Sequence, residues 1–426
     1  MSTTFSILFL VAALVHVVVE FWLSSRQVSH VRRHRETVPA AFAAVVTPSE
    51  YGKAADYAIA RQGLARAELL FDTAVLLWLT LGGGLAAIAR RVAALDLGTL
   101  SSGVALVLAT LLVMSALSIP MAAYRTFVFE ESYGFNRTTP GVFISDLVKG
   151  WLLGGFLGGA LAALILWVMA KAGATWWLIA WLVWVAASLL ILWGWPRLIA
   201  PLFNKFTPLA DGSLRARIDA LLQRCGFQTE GVFVMDGSRR SSHGNAYFTG
   251  LGRAKRIVFF DTLLESLTPA QVESVLAHEL AHFRLKHVPQ RLLLSAAMSL
   301  IGFALLGWLA RQSWFYLGLG ITTASDATAL LLFMIALPSF TWLLSPALAA
   351  WSRKHEFEAD DFATQHADGR ELAGALVQLY RDNASALSTD PLYSAFHDSH
   401  PPPAVRVARL LGSASTVPAA LSAATS

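Results

Sequence analysis

The sequence predicts a mainly α-helical, polytopic membrane protein, and three observations carry that expectation. The 426 residues are 55% hydrophobic and only 14% charged, with a mean hydropathy of +0.55, whereas a soluble domain carries about 25% charged residues. The apolar residues collect into seven stretches, each long enough to cross about 30 Å of hydrocarbon at about 1.5 Å per residue. The Lys and Arg residues gather in alternate loops, as they do when positive loops stay in the cytoplasm. The same composition excludes a disordered chain, which needs low hydrophobicity. The net charge of +5 follows from those loops and gives no reason to expect a nucleic-acid partner. A single cysteine, Cys225, excludes an internal disulfide and a cysteine-based zinc site.

The expected spans are 5–23, 67–89, 101–123, 150–170, 175–195, 291–310 and 327–350. The second carries Asp72 and the run Gly82 to Gly84, and the fourth and fifth make a tight hairpin around Gly173. The first is read as a retained span, because no Lys or Arg precedes it and its apolar run exceeds a signal sequence. The first loop holds Arg26, Arg32, Arg33, Arg35, Lys53, Arg61 and Arg66, while the fourth holds only Lys171 and the sixth only Arg311. An outside N-terminus and a cytoplasmic C-terminus follow. Four regions result: an N-terminal membrane region with five spans (1–195), a cytoplasmic loop region (196–290), a transmembrane hairpin (291–350) and a C-terminal region (351–426).

The loop region begins with a helical stretch at 213–224. Three strand-like runs follow, Gly231–Met235, Ala246–Gly250 and Arg256–Phe260, separated by turn residues at Asp236-Gly237 and Gly252. A small antiparallel sheet is expected from them. A further helix starts at Thr268-Pro269, a capping residue followed by a first-turn proline, and runs to about His287. The tail turns polar and proline-rich at His400–Pro403, and its last dozen small residues should fray.

Residues 278–282 read His-Glu-Leu-Ala-His. On a helix, positions i and i+4 share a face, so His278 and His282 can hold one ion, and Glu279 is placed to act as general base toward an activated water. A catalytic zinc takes three protein ligands and keeps one position open. The third candidate is Glu356, because spans six and seven form a hairpin that returns the chain beside the motif. Asp360, one turn beyond Glu356, can support a histidine from behind. His355 and His287 are weaker ligand candidates, and Glu358 falls on another side of its helix and reads as solvated. His400 and Arg406, six residues apart, could supply the positive donors that an oxyanion needs; a surface turn followed by a basic helix fits the same residues. Asn245 precedes Ala246, Tyr247 and Phe248, and an exposed edge strand there could pair with an extended peptide; an ordinary hairpin strand fits the same residues.

These segments resemble the CAAX prenyl protease type I family of membrane zinc endopeptidases. Phe127–Thr139, Ile199–Leu209, Ser241–Gly250, His278–His282, Ser352–Asp360 and Ser399–Arg406 match the family's motifs in its order, so the likeness covers roughly residues 5–412. It implies seven helices around a large internal chamber, with one zinc per chain on His278, His282 and Glu356, and Glu279 as base. It implies that His400 and Arg406 contact the substrate and the oxyanion, and that Asn245 with the strand Ala246–Phe248 holds the peptide. It further implies membrane lipids and a peptide or protein substrate as partners, the substrate C-terminally prenylated in the family. The active site would face the cytoplasm, from the inner membrane in a bacterium or the endoplasmic reticulum membrane in a eukaryote. Val405 departs from the acidic residue frequent before the arginine, and the Ala-rich stretch 157–163 marks a divergent, bacterial-type member. The alternatives are a membrane quality-control zinc peptidase and a non-catalytic scaffold. The Asn-Ala-Tyr-Phe and His-Pro-Pro segments favour CAAX-type processing over the first, and an intact Glu279 speaks against the second.

Overall fold

The computed structural model describes residues 1–249 and 255–412. Gly250, the turn at Gly252 and the small-residue tail lie outside them. Among the described residues, six helices are long and apolar enough to span a membrane, and a seventh span is counted when the bent pair Pro48–Leu79 and Gly84–Ala93 is taken as one. All seven expected spans coincide with these helices. The long helices are started by local chemistry. Thr47 caps Pro48–Leu79 with a capping box to Glu50, and Thr139 caps Pro140–Lys171, each followed by proline at the first position, where its missing N–H is no loss.

The second span bends by 49° at Gly82-Gly83. Gly83 adopts φ +76°, and Gly320 packs so closely against the bend that a Cβ there would lie 2.6 Å from the Thr80 carbonyl oxygen. The third and fifth spans each end in a π-helical turn, Arg125–Glu130 and Trp195–Ile199. Distant segments close on the first helix, Ser2–His34. Arg26 grips Asp390 with Nε and Nη2 at 3.1 and 2.9 Å, the Asp390 N–H donates to Gln27 Oε1 at 2.8 Å, and His30 meets Ser388 at 2.8 Å.

The sheet differs from the expected antiparallel one. Four strands lie in the order β1 (Phe206–Pro208), β2 (Gly231–Met235), β4 (Arg256–Phe260) and β3 (Ala246–Thr249). The pair β2–β4 is parallel, with Val232 against Ile257, while β1–β2 and β3–β4 are antiparallel. The chain leaves β2 through the short turn Gly237–Arg239 and returns on the far side, so β4 rather than β3 pairs with β2. β3 is consequently left at an edge.

Under this sheet lies the core of the extramembrane region. Ile218, Leu221, Val232, Ile257 and Phe259 pack on Val272, Leu276 and Leu280 of the motif helix, Pro269–Arg284, and on Ala363 and Val407 of the tail. The motif helix starts as expected, with a capping box between Thr268 and Gln271 and Pro269 in the first turn. It stops earlier than expected. Lys286 takes φ +62°, a left-handed conformation uncommon for a residue with a Cβ, and a new helix, His287–Leu309, begins as span six. That break re-aims the chain from the extramembrane core into the membrane.

Candidate active site

His278 and His282 project from one face of the motif helix toward Glu356 on the helix Ser345–His366, which continues span seven. His278 Nε2 lies 3.3 Å from Glu356 Oε2, and His282 Nε2 lies 3.5 Å from Oε1. One donor atom from each of the three residues falls within 4.8 Å of the others. Two imidazoles and one carboxylate with a side left open are the donor set of a catalytic zinc centre. Glu356 is 2% exposed, and its Oε2 makes no well-aligned hydrogen bond among the described residues, although His278 Nε2 and His400 Nε2 lie 3.3 and 3.4 Å from it. A buried carboxylate oxygen without a well-formed hydrogen bond is costly, and a cation between these groups would satisfy it.

Behind the donors stands a second layer of charge. His278 Nδ1 is 2.8 Å from Asp360 Oδ1, which leaves Nε2 toward Glu356. Arg406 donates to both oxygens of Asp360, from Nε at 2.8 Å and Nη2 at 2.6 Å, and points Nη1 toward Glu356 Oε2 at 3.8 Å. Arg406 and Asp360 are 4% and 1% exposed, so removing either strands a buried charge at about 3–5 kcal/mol. Arg406 was expected at the substrate. Two of its nitrogens are committed to Asp360, Nη2 also lies 3.3 Å from His278 Nδ1, and Nη1 is turned toward Glu356. His400 is solvent-facing, with Nε2 3.4 Å from Glu356 Oε2.

Burial and the charges around the site set its protonation. Burial alone would lower His278, but hydrogen bonds to Asp360 and Glu356 outweigh it and raise the ring to about 9. Burial, then the neighbouring His278, pushes His282 down to about 3, so that ring is neutral and carries a lone pair. Burial pushes the Glu279 carboxyl up, toward the range where a carboxylate serves best as a base near neutrality. An ion entering this site must expel the His278 proton, which is held below about pH 9 and lost above it. Zinc affinity should therefore rise with pH, by about tenfold per unit between about pH 6 and pH 8. Chelator competition at several pH values measures this, and an affinity flat across that window would contradict it.

Asn245 is exposed, and its Oδ1 accepts from the Ala246 N–H at 2.8 Å. Ala246, Tyr247 and Phe248 lie on the edge strand β3. Phe248 packs its ring 5.4 Å from that of Phe283, the residue after His282, which ties this edge to the motif helix. Tyr247 faces Met235 across the sheet. A cavity of about 880 Å³ opens beside the site, walled by Gln27, Tyr57, Arg61, His243, Asn383 and His400. Glu358 is half-exposed, in keeping with a solvated residue, but His287 is not the solvent-facing side chain that its place after the motif suggests. His287 is buried, and Glu358 lies 2.9 Å from it. Their only sequence signal is a histidine five residues after His282, a spacing with no regular meaning on a continuous helix.

Two family profiles match the chain. "CAAX prenyl protease N-terminal, five membrane helices" matches residues 27–205, and "Peptidase family M48" matches residues 208–414. The CAAX prenyl protease 1 homolog of Arabidopsis thaliana is 38% identical over 67% of this chain and 67% of its own length. The chain belongs to the CAAX prenyl protease family. The CAAX prenyl protease 1 of Saccharomyces cerevisiae is 37% identical over 68% of each chain, and the homolog of Homo sapiens is 33% identical over 70% of each. The crystal structure of S. mikatae Ste24p superposes with a TM-score of 0.89 at 28% identity, covering 95% of this chain and 98% of that one. As a member of peptidase family M48, the chain is a multi-pass membrane metallopeptidase that hydrolyses peptide bonds. M48 peptidases are zinc enzymes, and the donor set described above fits that metal.

Proposed function

We propose that this chain binds one zinc ion through His278, His282 and Glu356 and cleaves C-terminally prenylated peptides at the cytoplasmic face of its membrane. The observation that carries the proposal is the convergence of those three donors, with a buried Glu356 Oε2 that makes no well-aligned hydrogen bond among the described residues, beside a cavity that reaches His400. Zinc, when bound, would polarise the scissile carbonyl and make a water acidic enough to attack it near neutral pH. Glu279 takes the proton of the attacking water and passes it to the leaving amine. His400 donates to the carbonyl oxygen as it gains charge, and Arg406 adds its positive edge from behind while it fixes Asp360. Asn245 and the edge strand Ala246–Phe248 hold the extended peptide by main-chain pairing.

A second cavity supports the prenyl preference. It measures about 630 Å³, is lined by Ala60, Leu64, Phe71, Leu117, Met121 and Phe129 among others, and shares Leu64 and Phe129 with the polar one. An isoprenoid chain gains about 0.8 kcal/mol per buried CH₂ in such a place. The prenyl group would rest there while the peptide crosses the polar cavity to the strand. The orientation rests on the basic loops, including Arg284, Lys286 and Arg291 beside the motif.

The test uses the full chain in sealed vesicles of known sidedness, supplied with matched peptides with and without a C-terminal prenyl group. Prenylated peptide should be cut faster, and only when added on the face that bears the tail. Equal rates for the two peptides would remove the prenyl preference; cleavage from the opposite face would reverse the orientation. His400→Ala isolates the oxyanion donor without stranding a buried charge. Its turnover should fall by about 10²–10³ with zinc still bound, and unchanged turnover would return His400 to an ordinary turn residue.

A further inference from the structure

Two groups beside the donor set have no task in the reading above. His287 has a side chain 1% exposed, and Glu358 one 41% exposed. His282 Nδ1 lies 3.1 Å from His287 Nδ1, and His287 Nε2 lies 2.9 Å from Glu358 Oε2. One end of this chain fixes the rest. An ionised carboxylate only accepts, so His287 Nε2 donates. A neutral imidazole has one donor and one acceptor, so His287 Nδ1 accepts, and the proton between the rings sits on His282 Nδ1. That leaves the lone pair of His282 on Nε2, the nitrogen that faces Glu356.

We propose that Glu358 and His287 form a relay that sets the tautomer and ring orientation of His282 for zinc. The relay rests on the assignment of His282 as a ligand made above. It gives each histidine of the motif a carboxylate at its back: Asp360 directly for His278 at 2.8 Å, and Glu358 through an intervening ring for His282. Such partners hold the ligand ring and raise its basicity. The left-handed Lys286 is what makes the relay reachable, because it turns His287 out of the motif helix and back under His282.

The rival reading is a second metal site, since His287, His355 and Glu358 also have donor atoms within 4.8 Å of one another and His355 Nδ1 is buried without a hydrogen-bond partner among the described residues. Ring geometry argues against it. The His287 and His355 rings are stacked, with centroids 3.9 Å apart and planes 4° apart. Imidazole lone pairs lie in the ring plane, so two parallel stacked rings aim them side by side and not at the common point that a tetrahedral ion needs. The stack instead walls His287 in and holds its plane.

The test is the zinc dissociation constant of the full-length detergent-purified protein, read by chelator competition together with zinc per chain. Glu358→Ala should bind zinc about tenfold more weakly, the lower end of what such partners contribute. His287→Leu should lose at least as much, and the double variant no more than His287→Leu alone, because Glu358 acts only through His287. His287→Gln should recover most of the loss, since its amide accepts from His282 and donates to Glu358; a merely structural role predicts neither the non-additivity nor the rescue. Glu358→Ala alters a half-exposed residue and carries the test should His287→Leu not fold. Wild-type affinity in folded Glu358→Ala overturns the relay, and so does a second zinc per chain that Glu358→Ala removes. His282→Ala separates the two assignments. If it keeps zinc, the ligand set itself is wrong; if it loses zinc while the relay variants bind like wild type, only the relay falls.

Discussion

Glu279→Gln should fold, insert and load zinc normally, and its turnover should fall by at least about 10²–10⁴-fold, the contribution of a positioned general base. Glutamine keeps the shape of the side chain but cannot take a proton from the attacking water. The residue lies between the two proposed ligands of the motif helix, with His278, Glu356, Arg406 and Arg291 as charged neighbours. Burial pushes its carboxyl up, so the wild-type group trades acidity for basicity where a base is needed. Since His278, His282 and Glu356 are untouched, metal content is the internal control. Single-turnover cleavage by purified, zinc-loaded protein is the measurement. Wild-type rates would refute the proposed mechanism even if the metal assignment stood.

Glu356→Ala should empty the site. It removes the only carboxylate among the three converging donors and leaves two histidines on one helix to hold the ion. Partners outside the ligand set already cost about 10–100-fold in affinity when lost, so loss of a ligand should exceed about 100-fold, and activity should vanish with the metal. Metal analysis after dialysis against a chelator reads the effect. A Glu356→Ala protein that retained full zinc and full activity would require another third ligand. His355 would then be the nearest candidate by sequence, although its ring is stacked flat against His287.

Most of the membrane architecture was legible because it depends on composition over long windows. Seven apolar runs became seven spans, and the glycines at 82–84 marked the place where the second one bends. Local chemistry was as readable at Thr268-Pro269, where cap and proline act over four residues. The sheet was misjudged because strand order depends on contacts across the chain: β2 and β4 pair in parallel over a 20-residue excursion, and β1 is three residues ending in proline. The ligand helix came within reach only by reasoning about the hairpin of spans six and seven. His287 and Glu358 escaped for a similar reason. A regular helix running through 286 would have carried His287 round the helix, and nothing in the residue names announces a left-handed lysine.

The clasp of Asp390 on Arg26 and Gln27 joins groups 364 and 363 positions apart. At about 5–20 residues per second, a translating chain makes the first of these roughly 20–70 s before the second. The first helix is therefore made before every other span, and Arg26, which also lies over the Trp22 ring of its own helix, is without Asp390 until they have arrived. The motif helix is made before Glu356, and Glu356 before His400 and Arg406. On the proposed assignment, a nascent chain thus carries the two motif histidines without Glu356 until the seventh span has threaded, and without His400 until the tail has docked. Competence to cut is, on that assignment, a product of completed assembly.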